Sequence, residues 1–209
     1  PLIVGTNLEE MKLYRFLDPL LERLDEAALL QRCGLLFPGT GPDGRTHAER
    51  AVDTYRSARR ARGEDASAVE TWLAISTDHV FRAGALKLAE LHARHTPEVF
   101  VYQFEWKGKE PGRPQGAIHA LELPFVFGTL ATSEIGAIAG RTPAAQTLSG
   151  QMQDAWIAFV RGGRPRAAGL PEWPPYAAPR RATMVLADPS GLVDAPGEPE
   201  RAVWDAFLG

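Results

Sequence analysis

The chain has 209 residues, which is enough for one domain of ordinary size or for two small ones. It is 44% hydrophobic and 23% charged, a globular composition that excludes a disordered tail, a collagen-like repeat and a disulfide-scaffold peptide. The net charge of −3 argues against a general nucleic-acid binder, because such proteins normally carry a basic excess. No apolar run approaches the roughly 20 residues that span a bilayer, so we expect no membrane partner.

The first residues are typical of a buried strand, because the short apolar run Leu2–Val4 ends at a glycine. Residues 5–11 then form a polar turn. The sequence starts with neither a methionine nor a positively charged signal segment. We therefore expect the chain to be a piece of a longer protein, with any localisation signal on the missing side.

A helical region is predicted over residues 17–95. Apolar residues at helical spacing predict an amphipathic helix over Asp18–Arg32, with Gly34 as its C-terminal cap. The same periodicity, together with capping signals and a terminating proline, predicts further helices over residues 46–62, 66–75 and 77–95.

The strongest strand is predicted at residues 98–106, EVFVYQFEW, which are rich in β-branched and aromatic side chains. It is apolar on both faces, as is typical of a strand inside a sheet that helices cover on both sides. A loop over residues 107–120 follows it. The C-terminal helix and wrap are predicted over residues 142–209, with a helix from Thr142-Pro143 to Gly162-Gly163, a short strand at 182–187 and a last helix from Pro199. This alternation of strands and helices favours an α/β fold.

Five histidines are the main candidates for chemistry, because the sequence has no phosphate-binding loop, no HExxH motif, no cysteine-based zinc site and no GxGxxG pattern. His47, His79, His92 and His95 lie at helix starts or charged helix ends, where solvated, capping or structural roles are typical. His119 follows the strongest strand on a loop, where α/β enzymes place reactive side chains. On position alone, a catalytic and a structural role for His119 both stay open.

Three segments resemble type B carboxylesterases, the family that includes para-nitrobenzyl esterases and cholinesterases. Residues 116–128, GAIHALELPFVFG, are similar to the family's catalytic-histidine segment. Residues 1–10, PLIVGTNLEE, look like its strand and turn bearing the triad acid. Residues 156–165, with WPPY at 173–176, are similar to its C-terminal helix and the wrap that follows. The resemblance covers essentially the whole chain, but only the C-terminal part of the family's length.

The resemblance implies an α/β-hydrolase fold, with a few sheet strands covered by helices and the N-terminal strands missing. It implies a Ser-His-Glu triad in which His119 is the base and Glu10 is the acid. Glu9 stays as an alternative acid, because Met11 stands where the family usually has glycine. Glu122, three residues beyond His119, is expected to face back toward the loop in a supporting role. No metal or organic cofactor is implied.

The order of the residues predicts that the nucleophile lies upstream of residue 1. An α/β-hydrolase has its serine before the acid and its acid before the histidine, and the acid here is already at position 10. The sequence contains neither a GxSxG nucleophile elbow nor an HGGG-type oxyanion motif. We therefore expect the N-terminal half of the same protein to be the partner of this chain. The chain alone is expected to be inactive and prone to self-association.

Two functions stay open from the sequence. The first is hydrolysis of small-molecule carboxylic esters, and the second is a non-catalytic adhesion or binding role with a defective triad, as in some cholinesterase-like proteins. The presence of both Glu10 and His119 favours the enzyme, and three ordered matches disfavour a chance resemblance. Eukaryotic members are typically disulfide-rich, so the single Cys33 favours a bacterial, para-nitrobenzyl-esterase-like protein in the cytoplasm or another disulfide-free setting.

Overall fold

The computed structural model describes residues 1–108 and 111–208. The strands are β1 Leu2–Asn7, β2 Val99–Phe104, β3 Ala182–Leu186 and β4 Gly191–Asp194. They form one sheet in the order β1-β2-β3-β4, in which β1, β2 and β3 are parallel and β4 runs antiparallel to β3. A largely parallel sheet with helical connections confirms the predicted α/β fold.

Helices make most of the connections between the strands. The α-helices are α1 Lys12–Leu17, α2 Glu26–Leu36, α3 His47–Ala61, α4 Ala68–Thr77, α5 Ala83–Ala93, α6 Leu123–Val126, α7 Glu134–Ala139, α8 Pro143–Gly162 and α9 Glu198–Leu208. A 3₁₀-helix spans Pro19–Arg23 and a π-helix spans Asp78–Arg82. Helices α1 to α5 thus lie in one long crossover between the parallel strands β1 and β2, as such a connection requires. None of the helices described is both long and apolar enough to cross a membrane.

Strand β2 is buried on both faces, as its apolar sequence predicts. On one face Phe100 and Phe104 belong to the main core together with Met152 of α8. On the other face Val99 and Val101 pack with α5. Burial of one such side chain stabilises the fold by about 1.5–3 kcal/mol. The carboxyl end of β2, from which the loop carrying His119 departs, is therefore held from both sides of the sheet.

The prediction of one helix over Asp18–Arg32 is wrong, because the structure has a 3₁₀-helix and a separate α-helix there. After the 3₁₀-helix the chain is extended at Leu24, and α2 then begins with Asp25 as its N-cap. The Asp25 carboxylate accepts the backbone N–H of Ala28 at 2.8 Å, which satisfies a donor that a continuous helix would have bonded internally. Gly34 lies inside α2 and does not end it.

A buried polar network joins α3, the π-helix and α9. The Tyr55 hydroxyl donates to Asp78 Oδ2 at 2.5 Å and accepts from Trp204 Nε1 at 2.6 Å. Burial raises the pKa of the Asp78 carboxyl, although the charge of Arg82 and the hydrogen bond from Tyr55 oppose this shift. The network links the C-terminal helix to the long crossover at the π-helix. This π-helix joins the two helices that were predicted separately over residues 66–75 and 77–95.

Candidate active site

The turn that bears Glu10 leaves the sheet at the end of β1. Strands β1 and β2 are parallel and Asn7 pairs with Phe104, so the segments that follow them emerge at the same edge of the sheet. Glu10 is 5% exposed, and its Oε1 accepts the backbone N–H of Asn7 at 2.8 Å. One carboxylate oxygen is therefore fixed by the backbone, which leaves Oε2 to meet another partner.

The loop after β2 brings His119 to the same edge. The His119 backbone N–H donates to the Glu10 carbonyl oxygen at 3.2 Å, so the two segments are also joined through their main chains. The next residue, Ala120, has a φ of +65°, which is an uncommon and strained value for a residue other than glycine. The backbone thus turns sharply just after His119.

The structure brings the side chains of Glu10 and His119 together. His119 Nδ1 lies 2.8 Å from Glu10 Oε2, within hydrogen-bond range. The Glu10 side chain is buried, whereas that of His119 is 48% exposed. Because an ionised carboxylate can only accept, Nδ1 carries the proton in this contact and Nε2 keeps the basic lone pair. The arrangement can therefore take up a proton at Nε2 and stabilise the resulting cation.

The surroundings of Glu10 raise its pKa. Burial raises the pKa of Glu10, and the neighbouring charge of Glu122 raises it further. Hydrogen bonds from Asn7 and His119, and the charge of His119, oppose the shift without cancelling it. A desolvated carboxylate interacts more strongly with an adjacent imidazolium than a solvated one does, because the effective dielectric constant is lower.

Glu122 faces the turn that bears Glu10, but it contacts Asn7 and not His119. Asn7 Nδ2 donates to Glu122 Oε2 at 2.6 Å and to the Ile118 carbonyl oxygen at 2.7 Å. Asn7 thus ties together the acid, through its own N–H, and the histidine loop, through its side chain. Asn7 was not among the residues predicted for the site, although an amide at the end of a strand, three residues before Glu10, is a usable signal.

Glu9, the alternative acid, does not reach the His119 ring. Its Oε2 accepts the backbone N–H of Ala117 at 2.9 Å, and its Oε1 pairs with Lys12 Nζ at 2.8 Å. The carboxylate that meets the imidazole is therefore that of Glu10.

Three histidines each pack against an aromatic ring, in different places. The Phe81 ring lies 4.9 Å from the His119 ring, measured between centroids, and covers part of the imidazole. His79 stacks on Trp204 at 5.4 Å instead of joining the site. His47 packs against another ring of α9. His119 is thus the histidine that the structure places beside a buried carboxylate.

Comparisons with known proteins show which family the chain resembles. The carboxylesterase family model matches residues 1–203. The para-nitrobenzyl esterase of Bacillus subtilis (strain 168) is 32% identical over 186 residues, which are 89% of this chain and 34% of that protein. The phenmedipham hydrolase of Pseudarthrobacter oxydans is 31% identical over 143 residues, 67% of this chain and 29% of that protein.

Solved structures show the same likeness. The Geobacillus stearothermophilus carboxylesterase EST55, at pH 6.2, superposes with a TM-score of 0.80 and 32% identity over 98% of this chain and 40% of that one. The chain spans about a third of the length of the two curated relatives. With nearly all of its residues matched by the family model and by an esterase of the same fold, the chain belongs to the carboxylesterase family.

Proposed function

We propose that this chain supplies the acid and the base of a Ser-His-Glu triad that hydrolyses small-molecule carboxylic esters. The contact of 2.8 Å between His119 Nδ1 and Glu10 Oε2 is the observation that supports this most directly. Because the sequence has no GxSxG elbow, the serine and the oxyanion hole come from a segment outside the chain. Residues 1–209 are then the C-terminal portion of one catalytic domain, and its N-terminal half is their partner.

In this proposal, each step of acyl transfer involves one named atom. His119 Nε2 accepts the serine proton as the serine oxygen bonds to the ester carbonyl carbon, and Glu10 stabilises the imidazolium through Nδ1–H. The protonated Nε2 then gives the proton to the alkoxy oxygen as the bond from carbon to that oxygen breaks. Water repeats the sequence on the acyl-enzyme and releases the carboxylic acid. Glu10 stays ionised throughout, and no metal or organic cofactor takes part.

Glu122 acts indirectly in this mechanism. It accepts from the side chain of Asn7, whose backbone N–H holds the Glu10 carboxylate. Glu122 and Asn7 therefore support the acid without touching the reacting atoms.

The one cysteine, Cys33, is buried and free, which supports a setting without disulfides, such as the bacterial cytoplasm.

Substitution of the two triad residues in the complete protein tests the proposal. His119→Ala removes the base, and we expect kcat to fall by several orders of magnitude. Glu10→Gln loses the charge that orients and stabilises the imidazole, and a comparable acid-to-amide change costs about 10⁴ in kcat. Hydrolysis of a chromogenic ester, with the protein quantified by its ultraviolet absorbance, is the measurement.

His95→Gln is the matched control, because His95 is an exposed histidine outside the site, and we expect it to keep the parent rate. If His119→Ala or Glu10→Gln hydrolyses the ester with a kcat close to that of the parent, the triad assignment is wrong. A complete protein with glycine or alanine at the nucleophile position, and without ester hydrolysis, would favour the binding role instead.

A further inference from the structure

The Glu9 side chain is bonded to the loop that carries His119. Its Oε2 accepts the Ala117 backbone N–H at 2.9 Å, while the Glu9 backbone N–H donates to the Ala117 carbonyl oxygen at 3.0 Å. The backbone N–H and carbonyl of Ala117, two positions before His119, are thus both hydrogen-bonded to Glu9. A carboxylate that accepts a backbone N–H forms a stronger bond than a neutral acceptor does.

A chain of ion pairs holds Glu9 in this position. Lys12 Nζ lies 2.8 Å from Glu9 Oε1 and 3.6 Å from Glu70 Oε2, and Glu70 is itself buried. Burial alone would raise the pKa of Glu9, but the charge and hydrogen bond of Lys12, the Ala117 N–H and the charge of Lys107 outweigh it and lower that pKa. Glu9 is therefore ionised at neutral pH and anchored to α1 and α4.

Gly116 makes room for this contact. Its φ is +97°, and a Cβ at this position would lie 2.6 Å from Glu9 Oε2 and 3.0 Å from Lys12 Cδ. Such a separation is too short for a real side chain, so any larger residue would displace the carboxylate from Ala117. The need for glycine here therefore follows from the Glu9 contact as well as from the backbone angle.

We propose that Glu9 is a positioning residue for His119. By binding the backbone of Ala117, Glu9 fixes the position of the imidazole relative to Glu10. The inference rests on the proposed triad. Glu9 itself touches neither the imidazole nor any reacting atom, so it acts through the loop. A displacement of about 1 Å of a catalytic group lowers the rate on the order of 10²-fold.

The test compares variants of the complete protein by kcat per titrated active site. Glu9→Ala removes the acceptor, and we expect kcat to fall on the order of 10²-fold with KM changed less than about threefold. Glu9→Gln keeps one oxygen that can accept from Ala117, so it is expected to recover most of that loss. Gly116→Ala, which displaces the carboxylate while Glu9 is present, is expected to lower kcat in the same way and serves if Glu9→Ala does not fold.

Glu22→Ala is the control, because Glu22 pairs with Arg15 in the same region but does not contact the histidine loop. We expect its kcat to equal that of the parent. If Glu9→Ala and Gly116→Ala keep the parent kcat per active site while Glu10→Gln loses it, the positioning role is refuted and the triad stands. If Glu10→Gln also keeps its activity, the triad itself has failed. If Glu9→Ala lowers only the number of titratable active sites and not kcat per site, Glu9 contributes to folding alone. That result would also overturn the proposal.

Discussion

Glu9 and Glu10 are neighbours in sequence with opposite environments. Burial raises the pKa of both carboxyls, but Lys12 and the Ala117 N–H outweigh it at Glu9. At Glu10 the hydrogen bonds from Asn7 and His119 do not, so its pKa stays raised. The turn after β1 thus creates one carboxylate that holds a loop and another that is available to a base.

The lowered pKa of Glu9 predicts a pH-dependent contribution to stability. A carboxyl that binds its proton less readily when folded stabilises the fold above its ordinary pKa of 4.5, and this stabilisation is lost as the pH falls through the lower folded value. We therefore expect the complete protein to melt at a higher temperature than Glu9→Gln at pH 6, with a gap that closes below pH 4.5. Melting curves between pH 6 and 3.5 measure this gap. A gap that widens toward acid would contradict the assigned sign.

The proximity of Glu10 and His119 could be predicted from the sequence, but the contacts of their neighbours could not. Glu10 and His119 each follow a predicted strand, and parallel strands end at one edge of a sheet, so their proximity could be predicted. The Glu9 contact with Ala117 could not be predicted, because alternation of side chains ends with the strand at Asn7. Beyond that point, the direction of a carboxylate depends on turn geometry that residue type alone does not determine.

At the level of elements, one hydroxyl joins three helical segments. Tyr55 of α3 donates to Asp78 of the π-helix and accepts from Trp204 of α9. The long crossover, which also carries the Phe81 ring against His119, is thereby tied to the C-terminal end of the chain. Because this network is buried, Asp78 Oδ2 and Trp204 Nε1 both depend on the hydroxyl for a hydrogen bond.

We expect Tyr55→Phe to destabilise the complete protein by about 2 kcal/mol or more. The ring is retained, but the Asp78 carboxylate and the Trp204 N–H each lose a buried partner. Urea unfolding followed by tryptophan fluorescence measures the change. Tyr14→Phe is the control, since Tyr14 is 47% exposed, and it should leave the midpoint unchanged. Equal midpoints for the two variants would show that the network adds no stability.

Elements with strong local signals were predicted well. Thr46 forms the capping box that begins α3, Pro143 lies at the start of α8, and Gly163 ends α8 with a left-handed φ of +73°. Strand β4 was missed, because it has only four residues, is half exposed and, in the part of the chain that the structure describes, pairs with β3 alone. The break before α2 was missed because the apolar spacing continues across it, while the Asp25 cap competes locally.

At the scale of the whole molecule, β1 lies at one edge of the described sheet. Within residues 1–108 and 111–208, no strand pairs with that edge. Leu2 donates its backbone N–H to Glu98 of the β2 side, so in a parallel pair the N–H of Ile3 faces outward. An unpaired edge of this kind is a template for another strand.

We therefore expect the 209-residue chain, expressed alone, to self-associate through β1 and to show no ester turnover. Light scattering after size-exclusion chromatography measures the association, and an ester assay measures the turnover. Ile3→Pro removes an outward N–H without breaking a bond to β2, so it should reduce association. A soluble monomer at high concentration, or esterase activity of the chain alone, would contradict this expectation.

The pairing of Leu2 with Val99 closes a loop that contains all of α1 to α5. The entropy of loop closure grows only with the logarithm of length, so doubling such a loop costs only about 0.6 kcal/mol. Contacts between residues so distant in sequence nevertheless form slowly, so the joining of Glu10 to His119 is expected to be a late event in folding. A change in the length of the crossover therefore costs little stability, while the register of β1 and β2 keeps Glu10 and His119 together.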